Sequence, residues 1–299
     1  MIMPLTRRQF LITGGVGAGV VIAGGAGAYA LVENDVLPGR VRLNTALGAC
    51  GQPVPRPGVA IGPTESGQFE STARRTNVGW TIAYPPGTKQ GDALPLCIAL
   101  HGGSATQKWI FNELSMQYFL ADVVQQGSSP PFAIASIDGG DGVNWHKRAT
   151  GDDPQAMIID EFVPMLTKKN LVTKPVGLWG VSLGGYGALL LAGKLGAARC
   201  ASVAVSSPAI WSEFDQVQPG RYDGPADFAA NNLFTRTGEL DGIPVRIDCG
   251  DSDAFTPGVR KYINTLSPRP SGGIAEGCHD LAFWTRSIEA QLGFIGNNF

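Results

Sequence analysis

Val176-Gly177-Leu178-Trp179-Gly180-Val181-Ser182-Leu183-Gly184-Gly185 is the stretch on which the reading of this chain turns. Residues 176–180 make a short apolar run bounded by glycine, the pattern of a buried strand, and residues 184–195 read as a helix. Between them lies Gly180-Val181-Ser182-Leu183-Gly184, a G-x-S-x-G. In a chain with 41 glycines that pattern arises easily by chance, so context decides its meaning. A strand in front and a helix behind make the strand–turn–helix of a nucleophile elbow, in which a strained turn projects the serine Oγ. Only very small residues two positions either side let strand and helix pack so closely. The competing reading is an ordinary glycine-rich strand-to-helix turn.

Working outward, short apolar runs alternate with helical patterns. Residues 78–84, 94–100, 132–137, 201–205 and 243–249 read as strands, and residues 106–126, 153–168 and 281–295 as helices. Such alternation predicts an α/β fold, a mostly parallel sheet covered by helices on both faces. Residues 67–299 are expected to form this domain. Residues 209–240 exceed what a connection needs and suggest a small cap. Residues 33–66 hold Pro38, Pro53, Pro55, Pro57 and Pro63 and read as an extended lead-in over the surface.

Residues 1–32 read as a twin-arginine export signal. Arg7 and Arg8 stand just ahead of an uncharged run from Gln9 to Val32, half of whose 24 residues are Gly or Ala. Ala28-Tyr29-Ala30 is a cleavage candidate. The alternative is a retained membrane anchor: the run is long enough to span a bilayer, but its seven glycines make a poor helix. The expected location is therefore outside the cytoplasm, with the twin-arginine translocon as a partner during export. Leu47-Gly48-Ala49-Cys50 resembles a lipobox but lies well past the apolar run, beyond several charges.

Over all 299 residues, 23 Lys and Arg against 25 Asp and Glu give a net charge of −2 with no basic block, which argues against a nucleic-acid partner. Five cysteines without a CxxC exclude a disulfide-built scaffold and a zinc ribbon.

Ligands of open α/β sheets sit at the carboxyl ends of the strands, so the residues just after the apolar runs carry the functional reading. A serine hydroxyl needs a base, and with three histidines in the chain, at 101, 146 and 279, only His279 follows Ser182. The order nucleophile, acid, histidine then places the acid between them. Asp251 and Asp253 both follow the strand run ending near Gly250. Asp253 is favoured, because the third position leaves room for the chain to turn back, while Asp251 suits a loop hydrogen bond. Asp280 is a neighbouring support, and His101 reads as structural. Backbone donors for an oxyanion are expected from Leu183, the residue after the nucleophile, and from Gly103 in His101-Gly102-Gly103. Trp145 and His146, in the loop after Asp138, stand either at the pocket rim, touching substrate, or in ordinary loop packing. The spacing of Asp138, Asp141 and Asn144 is not that of a calcium loop.

On Leu100-His101-Gly102-Gly103, Asp138-Gly139-Gly140 with Asn144-Trp145-His146, the elbow, Gly250-x-x-Asp253-x-Phe255, and Cys278-His279-Asp280 with Trp284, the chain resembles the esterase D-like branch of the α/β-hydrolases. That branch includes S-formylglutathione hydrolases, feruloyl esterases and mycobacterial mycolyltransferases. The resemblance covers residues 67–294. It implies an α/β-hydrolase fold and esterase or acyltransferase activity on a small-molecule, lipid or sugar ester. It implies no metal or organic cofactor, and Ser182, Asp253 and His279 as nucleophile, acid and base. Mycolyltransferases often use Glu as the acid, and Asp253 departs from that. In this fold the strands ahead of Asp253 and His279 are neighbours, which suggests a Cys249–Cys278 disulfide, with Cys50 as a competing partner. Cys97 and Cys200 read as buried thiols.

Overall fold

The computed structural model describes residues 39–47, 49–141 and 144–299. The twin-arginine pair, the apolar run and the cleavage candidate fall outside them. Among the described residues no helix is long and apolar enough to cross a membrane.

Eight strands form one sheet: β1 (Thr64–Ser71), β2 (Thr76–Ala83), β3 (Pro95–Leu100), β4 (Ala133–Ile137), β5 (Val172–Val181), β6 (Cys200–Ser206), β7 (Val245–Gly250) and β8 (Ser271–Ala275). Their order is β1-β2-β4-β3-β5-β6-β7-β8. β2 runs antiparallel to both its neighbours, and every pair from β4 to β8 is parallel. This is the mostly parallel, doubly covered sheet that the alternating pattern predicts, and its order is that of an α/β-hydrolase.

The strands sort their side chains by period two into two apolar layers. Leu96, Ile98 and Leu100 join one core, with Leu178, Val203, Val205 and Ile247. Cys97, Ala99, Trp179, Val181 and Ala204 join the other. Among the described residues the α-helical segments are, in chain order, α1 (Arg40–Leu47), α2 (Trp109–Asn112), α3 (Met116–Gln125), α4 (residues 154–168, passing through a π turn at Met157–Phe162), α5 (Leu183–Leu195), α6 (Pro225–Ala230), α7 (Thr256–Ile263) and α8 (Leu281–Gly296). Apolar residues of α4, α5 and α7 fill the first layer, and those of α2, α3 and α8 the second. α5 is buried along nearly its whole length, which explains a helix made almost entirely of Leu, Ala and Gly. A buried polar relay holds α8 in place: Trp179 Nε1–H donates to Gln291 Oε1 at 2.7 Å, and Gln291 Nε2 donates to Asp248 Oδ2 at 2.8 Å.

Three segments differ from the sequence expectation. β1 begins at Thr64, and its eight-residue register with β2 adds a strand where the composition shows none. β8 is a short edge strand containing Gly272 and Gly273. In the lead-in, expected to be extended throughout, the described residues begin with α1, and residues 51–63 carry no helix or strand.

The disulfide is also different. The bridge joins Cys50 to Cys278, with Cα atoms 5.1 Å apart, and Cys249 is a buried free thiol. Strand register is the reason. β7 and β8 are neighbours, but Cys249 lies opposite Ile274, four residues short of Cys278. The Cys249 thiol turns instead towards Thr256 Oγ1, at 3.8 Å, and burial beside Asp253 raises its pKa well above the usual thiol range. Cys97 and Cys200 are buried thiols, as read from the sequence.

Candidate active site

Ser182 sits between β5 and α5 with φ 56° and ψ −120°, a conformation that L-residues avoid, at a cost of about 1–3 kcal/mol. Three hydrogen bonds hold it there: Ser182 N–H to Ser206 O at 3.0 Å, Ala209 N–H to Ser182 O at 2.9 Å, and Tyr186 N–H to Ser182 O at 3.1 Å. The flanking glycines are a packing necessity. A Cβ on Gly180 would lie 2.1 Å from Gly184 O, and one on Gly184 would lie 2.1 Å from Leu100 O. The turn thus closes onto the end of β3, which brings the His101-Gly102-Gly103 loop alongside the serine.

His279 follows β8 and reaches back across two strands. Its Nε2 lies 3.0 Å from Ser182 Oγ, and its Nδ1 lies 2.8 Å from Asp253 Oδ2. Asp253 is buried to 1%, and its other oxygen accepts the Phe255 N–H at 2.8 Å. The aspartate oxygen is acceptor-only when ionised, so Nδ1 carries the ring proton and Nε2 is left to accept from Ser182. Edge contacts from Phe255 and Trp284, with ring centroids 5.2 and 5.1 Å away, hold the imidazole plane. Asp251 does the other job expected of this loop: its Oδ1 accepts from Ser252 Oγ at 3.0 Å and from Gly277 N–H at 3.3 Å, lacing the acid loop to the base loop. Asp280 caps α8 through Phe283 N–H at 3.0 Å, so its part is to start the helix behind His279.

Leu183 opens α5, and the first N–H groups of a helix have no acceptor within it. Gly103 comes close to the same residue. A Cβ there would lie 3.0 Å from Leu183 Cδ1, and one on Gly102 would lie 3.9 Å from Ser182 Oγ. Leu183 directly follows the serine, and the Gly102-Gly103 loop runs beside both residues. Arg221, from the segment expected to be a cap, lies over this loop, its Nη1 3.8 Å from the same Gly103 point. Sequence reading did not single out Arg221, since nothing in its spacing ties it to residue 103.

Trp145 and His146 lie beneath the rim, each buried to 1%. Of the two readings left open for this pair, rim contact with substrate or loop packing, the burial is that of loop packing. The Trp145 side chain wedges between Gly139 and Gly187, where a Cβ on either glycine would fall 2.4 Å from it, and Nε1–H donates to His101 O at 3.2 Å. His146 hydrogen-bonds Asp227 Oδ2 at 3.0 Å and stacks on Tyr222. These contacts anchor the 209–240 segment to the body. His101 is structural: its Nε2 accepts from Gly139 N–H at 2.8 Å, tying the Gly103 loop to the loop after β4. Asp138, at that strand end, is partly desolvated, which raises its pKa. The His101 ring beside it, the Gly140 N–H that its Oδ1 accepts at 2.8 Å, and Arg74 outweigh this and keep the carboxyl below its ordinary value.

A serine in a strained elbow, hydrogen-bonded through histidine to a buried aspartate at the carboxyl edge of a parallel sheet, defines the serine-hydrolase class of α/β folds. The comparisons agree. Residues 71–263 match the family model described as "Putative esterase", and the chain belongs to that esterase family. Similar solved structures include a ferulic acid esterase (TM-score 0.70, 16% identity, covering 81% of this chain and all of that one). Another is an S-formylglutathione hydrolase from Agrobacterium tumefaciens (0.65, 12%, 83% and 99%). A third is a fluorophosphonate-binding serine hydrolase of Staphylococcus aureus (0.64, 17%, 79% and 99%). At these identities the likeness is one of fold. A search of curated proteins finds no match.

Proposed function

We propose that the chain is an exported serine esterase that cleaves a carboxylic ester through an acyl-enzyme on Ser182. The carrying observation is the continuous Ser182–His279–Asp253 hydrogen-bond line. In the proposed cycle His279 Nε2 takes the Ser182 proton as Oγ bonds to the ester carbon. Asp253 stays ionised and supports the imidazolium, while the Leu183 and Gly103 N–H groups face the tetrahedral oxyanion. Collapse breaks the ester C–O bond, and His279 returns the proton to the departing alcohol. Water, deprotonated by the same nitrogen, then releases the acid and restores Ser182. No group outside the chain is called for.

Transfer of the acyl group to a sugar hydroxyl uses the same residues. Hydrolysis is the favoured reading because the His279 side chain is 28% exposed, which leaves the ring open to water. A non-catalytic binding role leaves the strain at Ser182 and the burial of Asp253 without a purpose. The small-molecule, lipid or sugar ester is best sought with p-nitrophenyl esters of rising chain length, with and without a sugar acceptor. The expected result is hydrolysis independent of acceptor; an acyl-sugar product that forms at the expense of free acid points to the transferase.

Export is supported by two independent features, Arg7-Arg8 ahead of the weakly apolar run and the Cys50–Cys278 bridge, which suits an oxidising compartment. Replacing Arg7 and Arg8 together by Lys is expected to leave the protein in the cytoplasm. Unchanged export of that variant, seen by cell fractionation, points to the general secretory route.

A further inference from the structure

Beyond the three reacting side chains, the contacts of the lead-in carry a consequence for how the base is held. On its N-terminal side His279 is borne by an exposed edge element of the sheet. β8 is an edge strand of five residues, Ser271 to Ala275, none of them buried, with glycine at two positions. A general base must keep its nitrogen within hydrogen-bond reach of the nucleophile, and a displacement of about 1 Å costs on the order of a hundredfold in rate. β8 alone supplies little packing to hold that tolerance.

The lead-in supplies what β8 lacks. Cys50 is bonded to Cys278, the residue immediately before His279. On the other loop, Asn44 Nδ2 of α1 donates to Ser252 Oγ at 2.7 Å, a buried contact on the residue immediately before Asp253. Ser252 Oγ donates to Asp251 Oδ1, and that oxygen also accepts the Gly277 N–H. Ser252 N–H in turn donates to Gly277 O at 2.9 Å. The result is a closed ring: α1, the disulfide, the base loop, Asp251, Ser252 and back to α1. Beyond Cys50 the strap lies on the first turns of α8. A Cβ on Gly51 would fall 2.0 Å from Arg286 Nη1, and Val54 N–H donates to Thr285 Oγ1 at 3.0 Å. That turn also carries Trp284, whose ring edge meets the His279 ring.

We infer that the lead-in strap is a positioning element of the site, Cys50 acting through Cys278 on His279 and Asn44 acting through Ser252 on Asp253, so that the hydrolase reaches full activity only with the bridge closed. This rests on the proposed roles of Ser182, His279 and Asp253.

The test compares the full chain with Cys50→Ser and Asn44→Ala, and with wild type reduced by a water-soluble phosphine. In that reduction the S–S bond accepts two electrons and two protons, and the phosphine takes up oxygen from water to become its oxide. The readouts are kcat and KM on p-nitrophenyl acetate, the rate of fluorophosphonate labelling, and a thermal melt. Cys50→Ser and the reduced protein are expected to lose tenfold or more in kcat and in labelling rate, with KM within twofold. Asn44→Ala, bridge intact, is expected to lose threefold to tenfold. Reoxidation of the reduced protein should restore kcat. If Cys50→Ser does not fold, Asn44→Ala and reversible reduction carry the test. Folded variants and reduced protein with wild-type kcat and labelling rate overturn the inference, as does a loss confined to KM or to the melting temperature. Ser182→Ala run alongside separates the two levels. If it is inactive while the strap variants are unimpaired, only the strap inference fails; if it remains active, the proposed catalytic roles and the strap inference fail together.

Discussion

Ser182→Ala is expected to lower kcat for ester hydrolysis by on the order of 10⁵-fold, with the fold and melting temperature little changed. Oγ is the atom that bonds to the acyl carbon, and no neighbouring group on the Ser182 turn replaces it. The elbow itself is kept by hydrogen bonds from and to the backbone of residue 182, at Ser206 O, Ala209 N and Tyr186 N. These survive the loss of the hydroxyl, and alanine is the smallest L-residue that occupies the same backbone angles. His279→Ala is expected to give a loss of the same order, because the members of such an array act as a unit and their losses do not add. Steady-state kinetics beside a thermal melt checks both; a Ser182→Ala protein that still turns over at more than about a tenth of the wild-type rate contradicts the assignment.

Asp253→Asn is expected to cost about 10⁴-fold in kcat. Asparagine fills the same buried space, but it can present an N–H donor to His279 Nδ1. That favours the tautomer with the proton on Nε2, leaving nothing to accept from Ser182. It also removes the negative charge that supports the imidazolium. Asp251→Asn is the control on the neighbouring acid. An asparagine oxygen still accepts from Ser252 Oγ and Gly277 N–H, so the loop lacing is retained and the change in kcat should stay below about tenfold. The two variants measured side by side decide between the acids: if Asp251→Asn is the inactive one, Asp253 has been given the wrong role.

The parts legible in the sequence and the parts that were not have separate physical causes. β3, β4, β6 and the second half of β5 are buried on both faces, so their composition is mostly apolar, and the polar residues that follow such runs stand out. That is why Ser182, Asp253 and Gly103, which the structure gathers at one edge, can be picked from the chain. His279 follows from there being a single histidine after Ser182. β1 and β8 were not legible because they lie at the two edges. Thr64-Glu65-Ser66-Gly67-Gln68-Phe69-Glu70-Ser71 and Ser271-Gly272-Gly273-Ile274-Ala275 become strands through pairing with β2 and β7, not through propensity. The disulfide turned on register, which strand adjacency does not supply. The three residues between Ile274 and Cys278 carry the thiol past β7 and towards the lead-in. For Trp145 and His146 the loop's position at a strand end was visible, but the inward turn was not. It depends on Gly139 and Gly187 leaving a slot for the indole, a coincidence of two distant positions.

The central claim is that Ser182 Oγ, activated by His279, is the atom that attacks the substrate. Intact-mass and peptide mapping after treatment with a fluorophosphonate test it most directly. The account predicts one phosphonyl group per chain, on the peptide containing Ser182, absent from Ser182→Ala and formed far more slowly in His279→Ala. Folded protein that takes up no label, or an adduct that persists undiminished in Ser182→Ala, would contradict it.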